Sequence, residues 1–463
     1  MTTVLLLALA NRQANTMETD IQLMEFRSRK RLWSTPHLGL LTVAALLPDD
    51  WDLTYIDANF EKIPDEEYTY VLMSPSTAQV CDAYAQAVRF RLRGSRILLG
   101  GPHVTMCAEE ASRYADVVFV GEGEELFHVF LQDERTGRSK RMYRADHRPT
   151  LALSPPPRYD LAVKYPYKSI PLQLSRGCPH QCRFCLSSTI YGKSVRRKSL
   201  KQVEEELSRI RKLWKRPYLF FTDDNFFIND LYSNAILDIL SSRPTDWYAF
   251  TDVSVYTKSE LLARLTGSGC RKLLIGFESL NESNLQRING SGFKRKRLSI
   301  YGEAVRRIQA EGIGVVGSFV LGLEEDTPET FEELYDFIYD TCMYGTNITI
   351  STPFPGTAMY REMVEKGEAP PQDWNQYDGF TLMKPPARLS TEAFYSLYRS
   401  LLDRLNSPER IGRVLRAFRK SSIERKETYE QYRKTRLSEK NRPYTRRRYD
   451  GDGGGTGKAT PPA

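Results

Sequence analysis

Short apolar runs of strand length alternate with helical segments along the first 131 residues, and this alternation limits the possible folds more than any other feature. Strands that alternate with helices favour a doubly wound, Rossmann-like parallel sheet, because each helix must cross over to return the chain to the same sheet edge. The predicted strands are Val4–Ala10, Trp51–Ile56, Tyr70–Ser74, Ile97–Gly100 and Val117–Gly121.

Three loops would gather at the carboxyl edge of that sheet, where doubly wound folds bind their ligands. They are residues 74–79 (SPSTAQ), 100–105 (GGPHVT) and 121–124 (GEGE). None is a G-x-G-x-x-G fingerprint, so a dinucleotide is not favoured. Glycine lets backbone approach a ligand closely, while we interpret His103 as a loop histidine without a ligand role. The candidate binding residues are Ser76, Thr77, Gly100, Gly101, Gly121 and Gly123.

Residues 173–185 (QLSRGCPHQCRFC) place three cysteines, Cys178, Cys182 and Cys185, in the spacing C-x3-C-x2-C. Thiolates spaced in this way on a loop can converge on one metal centre. Three ligands would leave one iron of a 4Fe-4S cluster without a protein ligand, and an open metal position is where chemistry occurs. A structural zinc with His180 as fourth ligand is the alternative, but no second C-x-x-C pair supports it, and zinc would not explain the strand–helix pattern that follows.

From residue 167 a second strand–helix pattern predicts a partial barrel of about six strands. Three carboxylates follow its strands: Asp223 and Asp224 after one, and Glu278 at the end of another. Carboxylates at the carboxyl ends of barrel strands indicate function. The structural alternatives are a helix N-cap for either aspartate and a salt bridge at the barrel rim for Glu278. The predicted strands are Ile170–Leu174, Tyr218–Phe221, Trp247–Thr251, Lys272–Ser279, Gly314–Leu321 and Asn347–Ser351.

The cysteine motif, with Phe184 just before its last cysteine, resembles that of the radical S-adenosylmethionine (SAM) superfamily, and the downstream strands are similar too. The resemblance implies a partial (β/α)6 barrel and a 4Fe-4S cluster on the three cysteines. SAM would chelate the fourth iron and be cleaved to a 5′-deoxyadenosyl radical. The resemblance also implies SAM contacts from Phe184 near the adenine, from the loop with Asp223 and Asp224, and from Glu278 and Ser279.

The first 131 residues resemble the cobalamin-binding domain that precedes the barrel in a large subgroup of this superfamily. The similar stretches are residues 36–48 and the three loops described above. Residues 11–22 contain no D-x-H-x-x-G motif, so we expect cobalamin bound without a histidine ligand on its lower face. Two alternatives stay open: a corrinoid-free remnant, or a packing domain without ligand.

The resemblance implies an enzyme that transfers a methyl group to an unactivated carbon of a natural product, lipid or other small molecule, using cobalamin and the SAM radical. A corrinoid-free radical dehydratase or eliminase, acting on a diol such as an aminoglycoside sugar, is the alternative. A non-enzymatic Fe–S protein is less favoured. The partners implied are the small-molecule substrate and an electron donor such as flavodoxin or ferredoxin.

Seven cysteines, no secretory signal and no apolar run long enough to span a membrane predict a protein of the reducing cytoplasm. The formal charge of +8 is concentrated near the carboxyl terminus, where a solvated basic face is favoured over nucleic-acid binding. The predicted organisation is a cobalamin-type domain (1–131), a Pro-rich connector (132–166), the barrel (167–382), a helical region (383–440) and a disordered basic, Gly-rich tail (441–463).

Overall fold

The computed structural model describes residues 1–10, 35–243, 245–368 and 373–418. Its first sheet has six strands in the order β2-β1-β3-β4-β5-β6, and every pairing is parallel. The order reverses between β1 and β3, which creates a crevice at their carboxyl ends. The strands are β1 Thr3–Ala8, β2 Asp52–Asp57, β3 Tyr70–Met73, β4 Arg96–Leu99, β5 Val117–Val120 and β6 Met142–Arg144.

Helices cover both faces of this sheet, so its central strands are buried throughout and continuously apolar, as in Tyr70–Met73 and Val117–Val120. The predicted doubly wound sheet is therefore confirmed. The sheet also extends past residue 131, because α5 continues to Arg135 and β6 pairs with β5. The helices are α1 Leu38–Ala44, α2 Val80–Arg91, α3 Pro102–Met106, α4 Ala108–Ala111 and α5 Gly123–Arg135.

The second sheet has six strands in the order β14-β13-β12-β11-β10-β7, again all parallel. Its first and last strands do not pair with each other, so it is an open, partial (β/α)6 barrel, as predicted. A two-stranded antiparallel hairpin, β8–β9, stands beside it. The strands are β7 Ile170–Leu172, β8 Ser175–Arg176, β9 Arg196–Arg197, β10 Leu219–Phe221, β11 Trp247–Thr251, β12 Cys270–Glu278, β13 Gly314–Leu321 and β14 Gly345–Ile350.

Helices follow the barrel strands in turn, and a last pair closes the described chain: α14 and a helix over residues 408–418. The predicted disordered tail lies outside the described residues. No helix in the described ranges is long and apolar enough to cross a membrane. The helices are α6 Ser187–Ile190, α7 Leu200–Leu213, α8 Asp230–Ser242, α9 Ser259–Ser268, α10 Glu282–Ile288, α11 Tyr301–Ala310, α12 Pro328–Asp340, α13 Ala358–Glu365 and α14 Thr391–Leu405.

One continuous apolar core joins the two sheets, running from β1 and α1 through Tyr159 and Tyr165 into the barrel. Tyrosine hydroxyls reinforce the junction: that of Tyr167 donates to Asp57 at 2.7 Å and that of Tyr165 to Glu61 at 2.6 Å. Apolar burial is the main stabilising contribution in folding. The carboxyl edges of the two sheets are thus held in a fixed relation.

His103 is not the loop histidine that the sequence indicated. It lies in α3 with a side chain that is 0% exposed, and its ring meets that of Trp374 edge-on at 5.0 Å. Neither ring nitrogen has a hydrogen-bond partner among the described residues. Burial lowers the pKa of His103 to about 4, because an apolar site disfavours the imidazolium.

We expect this histidine to make the fold sensitive to acid. Unfolding returns its pKa to about 6.5, so the unfolded chain binds the extra proton and stability falls as the pH drops from about 6.5 to 4. The loss attributable to His103 is on the order of 3 kcal/mol at pH 4. Chemical denaturation of wild type and His103→Phe at pH 7.5 and 4.5 measures it. An equal acid-induced loss of stability in both proteins would contradict this assignment.

Candidate functional site

A cavity of about 590 Å³ lies where the carboxyl edges of the two sheets face each other. From the first sheet it is lined by residues that follow β1, β3, β4 and β5 and by α1. From the barrel side, Pro171, Gln173, Arg176, Thr222 and Asp224 complete the wall. These are the positions at which doubly wound sheets and barrels bind ligands. Here residues from the carboxyl edges of both sheets line the same cavity.

Five of the six residues predicted on the first sheet line this cavity: Ser76, Gly100, Gly101, Gly121 and Gly123. The sixth, Thr77, is buried and does not line it. Gly101 has φ +94°, and a Cβ there would lie 2.3 Å from the Ser74 hydroxyl. A side chain is therefore excluded at the point where the backbone borders the cavity.

His37 also lines the cavity, although no motif in the sequence singles it out. Its Nδ1 accepts from the Leu40 N–H at 3.2 Å, and its Nε2 lies 3.0 Å from the Ser74 carbonyl oxygen. Burial lowers the pKa of His37, which favours the neutral ring that these two contacts require. Both nitrogens are engaged, and no other histidine among the described residues lines the cavity. The wall therefore offers no free imidazole to a metal.

The cysteine loop runs from β8 toward α6, and its three thiols are partly buried and free of disulfides. Burial raises the pKa of Cys178 to about 12 and that of Cys182 to about 11. Thiolates are the metal-binding form, so iron binding must displace these protons. In the described ranges no three His, Cys, Asp or Glu side chains are already placed around one ion position. Three thiols on one loop are the donors that an Fe–S cluster prefers.

Phe184 packs in a small apolar cluster with Cys182, Ile288, Val320 and Leu323. Val320 is the last residue but one of β13, and Leu323 lies in the loop that follows this strand. The aromatic residue before the last cysteine is thus placed against the carboxyl end of β13. The arrangement supplies one apolar surface beside the cluster loop, of the kind that can receive a flat aromatic ring.

The two adjacent aspartates occupy different environments. Asp223 is fully buried, and its carboxylate accepts from the Leu174 N–H at 3.1 Å and from the Ser175 hydroxyl. Burial raises the pKa of Asp223 to about 6. Asp224 lines the cavity and accepts from the Gly177 N–H at 2.9 Å, beside the cysteine loop. Asp223 therefore has the contacts of a structural residue, while Asp224 faces the site.

Glu278 ends β12 at a break in register, with φ +69°. Its carboxylate accepts from Lys294 Nζ at 2.9 Å, and the same ammonium donates to the Gly276 carbonyl at 2.6 Å. A Cβ at Gly276 would lie 2.4 Å from the Glu278 carboxylate, so a larger residue there would displace that carboxylate from its present position. Ser279 is turned to its own loop, where its hydroxyl accepts from the Asn281 N–H at 3.1 Å.

Lys294 is the second residue that the sequence did not reveal, because it belongs to the basic run 294–297. It is buried. Burial alone would lower the pKa of Lys294, but the negative charges of Glu278 and Cys182 outweigh it and raise that pKa. A cation held beside a cysteine of the loop favours thiolate formation. The rim salt bridge that was the alternative for Glu278 is thus present, and it adjoins the cysteine loop.

His180, the alternative zinc ligand, is directed away from such a role. Its Nε2 lies 3.3 Å from Asp252, and its ring is 4.0 Å from that of Phe293. Burial would raise the pKa of Asp252. Hydrogen bonds from His180, Ser254 and Asn225 outweigh that effect and hold this pKa well below its usual range. The histidine is therefore engaged by a carboxylate.

The fold combines a parallel sheet that has glycine-containing loops with an open barrel whose first loop carries three cysteines. This is the architecture of radical SAM proteins with a corrinoid-type domain. The chain matches the Radical SAM superfamily over residues 172–338 and the B12 binding domain over residues 30–131. It is 30% identical to bacteriochlorophyllide d C-12(1)-methyltransferase of Chlorobaculum tepidum over 77% of this chain and 79% of that one. The chain belongs to the radical SAM superfamily, in the subgroup with a B12-binding domain.

One further relative agrees with this assignment, and one solved structure shares the fold. Hopanoid C-2 methylase of Rhodopseudomonas palustris is 28% identical over 72% of this chain and 65% of that one. The radical SAM methyltransferase TsrM of Kitasatospora setae, solved with cobalamin and a 4Fe-4S cluster, superposes with a TM-score of 0.63 at 14% identity, covering 88% of this chain and 90% of that one. The last likeness establishes the shared fold. The protein is a radical SAM enzyme, and the zinc alternative is set aside.

We expect Asp224→Asn and Glu278→Gln to weaken SAM binding roughly ten- to hundredfold, the cost of losing a hydrogen bond to a charged ligand. Because Glu278→Gln also leaves Lys294 buried without its partner, the double variant Glu278→Gln/Lys294→Met is the matched control. It should recover thermal stability but not SAM affinity, both measured on the reconstituted protein. If each variant binds SAM normally and merely melts earlier, these carboxylates serve the fold alone.

Proposed function

We propose that this protein is a cobalamin-dependent radical SAM C-methyltransferase that acts on an unactivated carbon of a natural product, lipid or other small molecule. The observation that carries the proposal is the single cavity lined both by the glycine loops of the first sheet and by Asp224, Gln173 and Arg176 of the barrel. A methyl donor bound at the first sheet would then face, across this cavity, the barrel that generates the radical.

The chain's residues have separate tasks in this scheme. Cys178, Cys182 and Cys185 would hold a 4Fe-4S cluster, and Lys294 favours the thiolate form of Cys182. Gly100, Gly101, Gly121 and Gly123 would border the corrinoid, bound without a histidine below cobalt because His37 is engaged. When bound, these groups supply the electron that cleaves SAM and the methyl group that is transferred. The protein positions them and excludes water.

Methyl transfer is favoured over elimination by two observations. The relatives described above are named for methylation at carbon positions of a bacteriochlorophyllide and a hopanoid. The B12-type domain also keeps open glycine loops at its ligand edge instead of side chains that fill it.

Product analysis tests the proposal. The reconstituted protein, with hydroxocobalamin, SAM and a strong chemical reductant, is supplied with candidate substrates under anaerobic conditions. A methyltransferase should release S-adenosylhomocysteine and 5′-deoxyadenosine together with a methylated product. 5′-Deoxyadenosine with a dehydrated product and no S-adenosylhomocysteine would establish the eliminase instead.

The reaction needs an electron donor, for which we propose flavodoxin or ferredoxin. All seven cysteines are free thiols, and such thiols persist in the reducing cytoplasm, where we place the enzyme. A pull-down with each purified donor, followed by SAM cleavage driven by that donor, tests the proposed electron donors.

A further inference from the structure

Two arginines lie directly opposite each other on the hairpin that leads into the cysteine loop. Arg176 of β8 pairs in register with Arg196 of β9. Like charges directly across an antiparallel pair repel each other. The hairpin therefore needs partners of opposite charge. Asp224 of the barrel lies near enough to interact with both arginines, but among the described residues it forms an ion pair with neither.

The partner comes from the first sheet, in the loop after β5. Glu122 accepts from both arginines, from Arg176 at 2.5 Å and from Arg196 at 2.5 and 3.0 Å. Glu124 accepts from Arg176 at 2.7 Å. Arg176 Nε also donates to Gln173 at 2.8 Å, and Arg196 donates to the Pro149 carbonyl at 2.5 Å. We call Glu122, Glu124, Arg176 and Arg196 the interdomain clamp.

The interdomain clamp is buried. The side chains of Glu122 and Glu124 are 4% and 3% exposed, and those of Arg176 and Arg196 are 12% and 18% exposed. Buried ion pairs add little net stability because desolvation offsets their attraction, and in some proteins they specify geometry instead. Planar guanidinium–carboxylate contacts are strongly directional. A network of this kind fixes orientation more than it stabilises the fold.

The clamp also sits between the two candidate cofactor sites. Glu122, Glu124 and Arg176 line the shared cavity. On one side they follow Gly121, and on the other Arg176 is separated from Cys178 by one residue. That residue, Gly177, is itself fixed: its N–H donates to Asp224 at 2.9 Å, and a Cβ on it would lie 2.5 Å from the Ser194 carbonyl oxygen. A displacement of the loop after β5 would therefore also move the cysteine loop, because the connections between the two loops are short and stiff.

We propose that the interdomain clamp is a positioning device. It fixes the loop after β5, which would border the corrinoid, relative to the cysteine loop, and so sets the separation of the two reaction centres. This inference rests on the proposed function. Its members act through the loops that they hold, so they are positioning residues. Methyl transfer, which involves both domains, should depend on the clamp, while reductive cleavage of SAM, which involves the barrel alone, should not.

The test compares Glu122→Gln and Glu124→Gln with Glu332→Gln. Glu332 makes an exposed pair with Arg404, between α12 and α14 and away from the cavity, and is the matched control. Each reconstituted protein receives hydroxocobalamin, SAM and a chemical reductant, and S-adenosylhomocysteine and 5′-deoxyadenosine are quantified. We expect the clamp variants to keep their iron content and 5′-deoxyadenosine yield, while the ratio of S-adenosylhomocysteine to 5′-deoxyadenosine falls about tenfold or more, since small misplacements cost this much in rate. The control should match wild type.

Two readouts do not depend on turnover. Hydrogen exchange of residues 121–124 in the corrinoid-free protein should accelerate in the clamp variants. Pulsed EPR between cob(II)alamin and the reduced cluster should show a broadened distance distribution. Unchanged product ratio and distances with only a lower Tm would overturn the positioning role while leaving the proposed function intact. A wild-type protein that retains no corrinoid and forms no S-adenosylhomocysteine would overturn both. If Glu122→Gln fails to fold, Glu124→Gln, which breaks one contact of the network, decides the matter.

Discussion

Replacing Cys182 with Ala is expected to abolish the formation of 5′-deoxyadenosine from SAM. Three thiolates are the only protein ligands that the loop offers to a cluster, so removing one leaves too few to hold it. Anaerobic reconstitution should give about four irons per wild-type chain, with an absorbance that bleaches on reduction. Iron analysis, optical spectra and chromatography of the SAM cleavage products measure these outcomes. Cys178→Ala and Cys185→Ala should behave in the same way.

The matched control is Cys81→Ala, on the partly exposed face of α2 in the other domain. It should retain iron and SAM cleavage. Cys107, Cys270 and Cys342 are also expected to be replaceable for this activity, although Cys270 is fully buried in β12 and its loss should lower stability. SAM cleavage retained by Cys182→Ala would refute the cluster assignment.

The second large effect concerns the corrinoid. We expect the wild type to retain hydroxocobalamin, and its cob(II) state to show no nitrogen hyperfine splitting in the EPR spectrum, because neither nitrogen of His37 is free to bind cobalt. Gly101→Ala should lower corrinoid affinity at least about tenfold, because Gly101 has a positive φ and a new Cβ would lie 2.3 Å from the Ser74 hydroxyl. This clash would displace the loops that border the cavity. Equilibrium titration followed by absorbance measures the change.

Gly137→Ala is the matched control for backbone strain. Gly137 also has a positive φ, +67°, but a Cβ there would meet nothing within 4 Å, and it does not line the cavity. It should bind the corrinoid as wild type does. Nitrogen splitting in the cob(II) spectrum would instead mean that a histidine ligates cobalt. Equal affinities for both glycine variants would place the corrinoid away from the loop after β4.

Most of the architecture could be predicted from the sequence because strands and helices produce short-range patterns of apolar residues. Strands buried on both faces appear as uninterrupted apolar runs, as in Tyr70–Met73. The exceptions are the short pair β8–β9 and β6, whose three residues are half-buried, buried and exposed. No local pattern marks such a strand, and only its pairing with β5 makes it one.

The site was predictable where its chemistry lies within one loop, and not where it depends on distant partners. The cysteine spacing and the glycine loops are local, so their residues could be named in advance. Lys294 belongs to a basic run, so the sequence does not show that it is buried. Only its position beside Glu278 in the structure distinguishes it from a solvated surface charge. The sequence around His103 indicates a loop, whereas the residue lies in α3 and is covered by Trp374, which comes from a distant segment of the chain.

The sequence by itself determined the chemistry: three thiols for a cluster, glycine loops at a sheet edge, and two α/β units in order. The tertiary structure alone decided how these parts face one another. It separated Asp223, which holds the fold, from Asp224, which lines the cavity. It also joined Glu122 of the first sheet to Arg176 and Arg196 of the hairpin. The physical reason is that local spacing fixes which atoms are available, whereas burial and charge pairing depend on contacts between segments far apart in the chain.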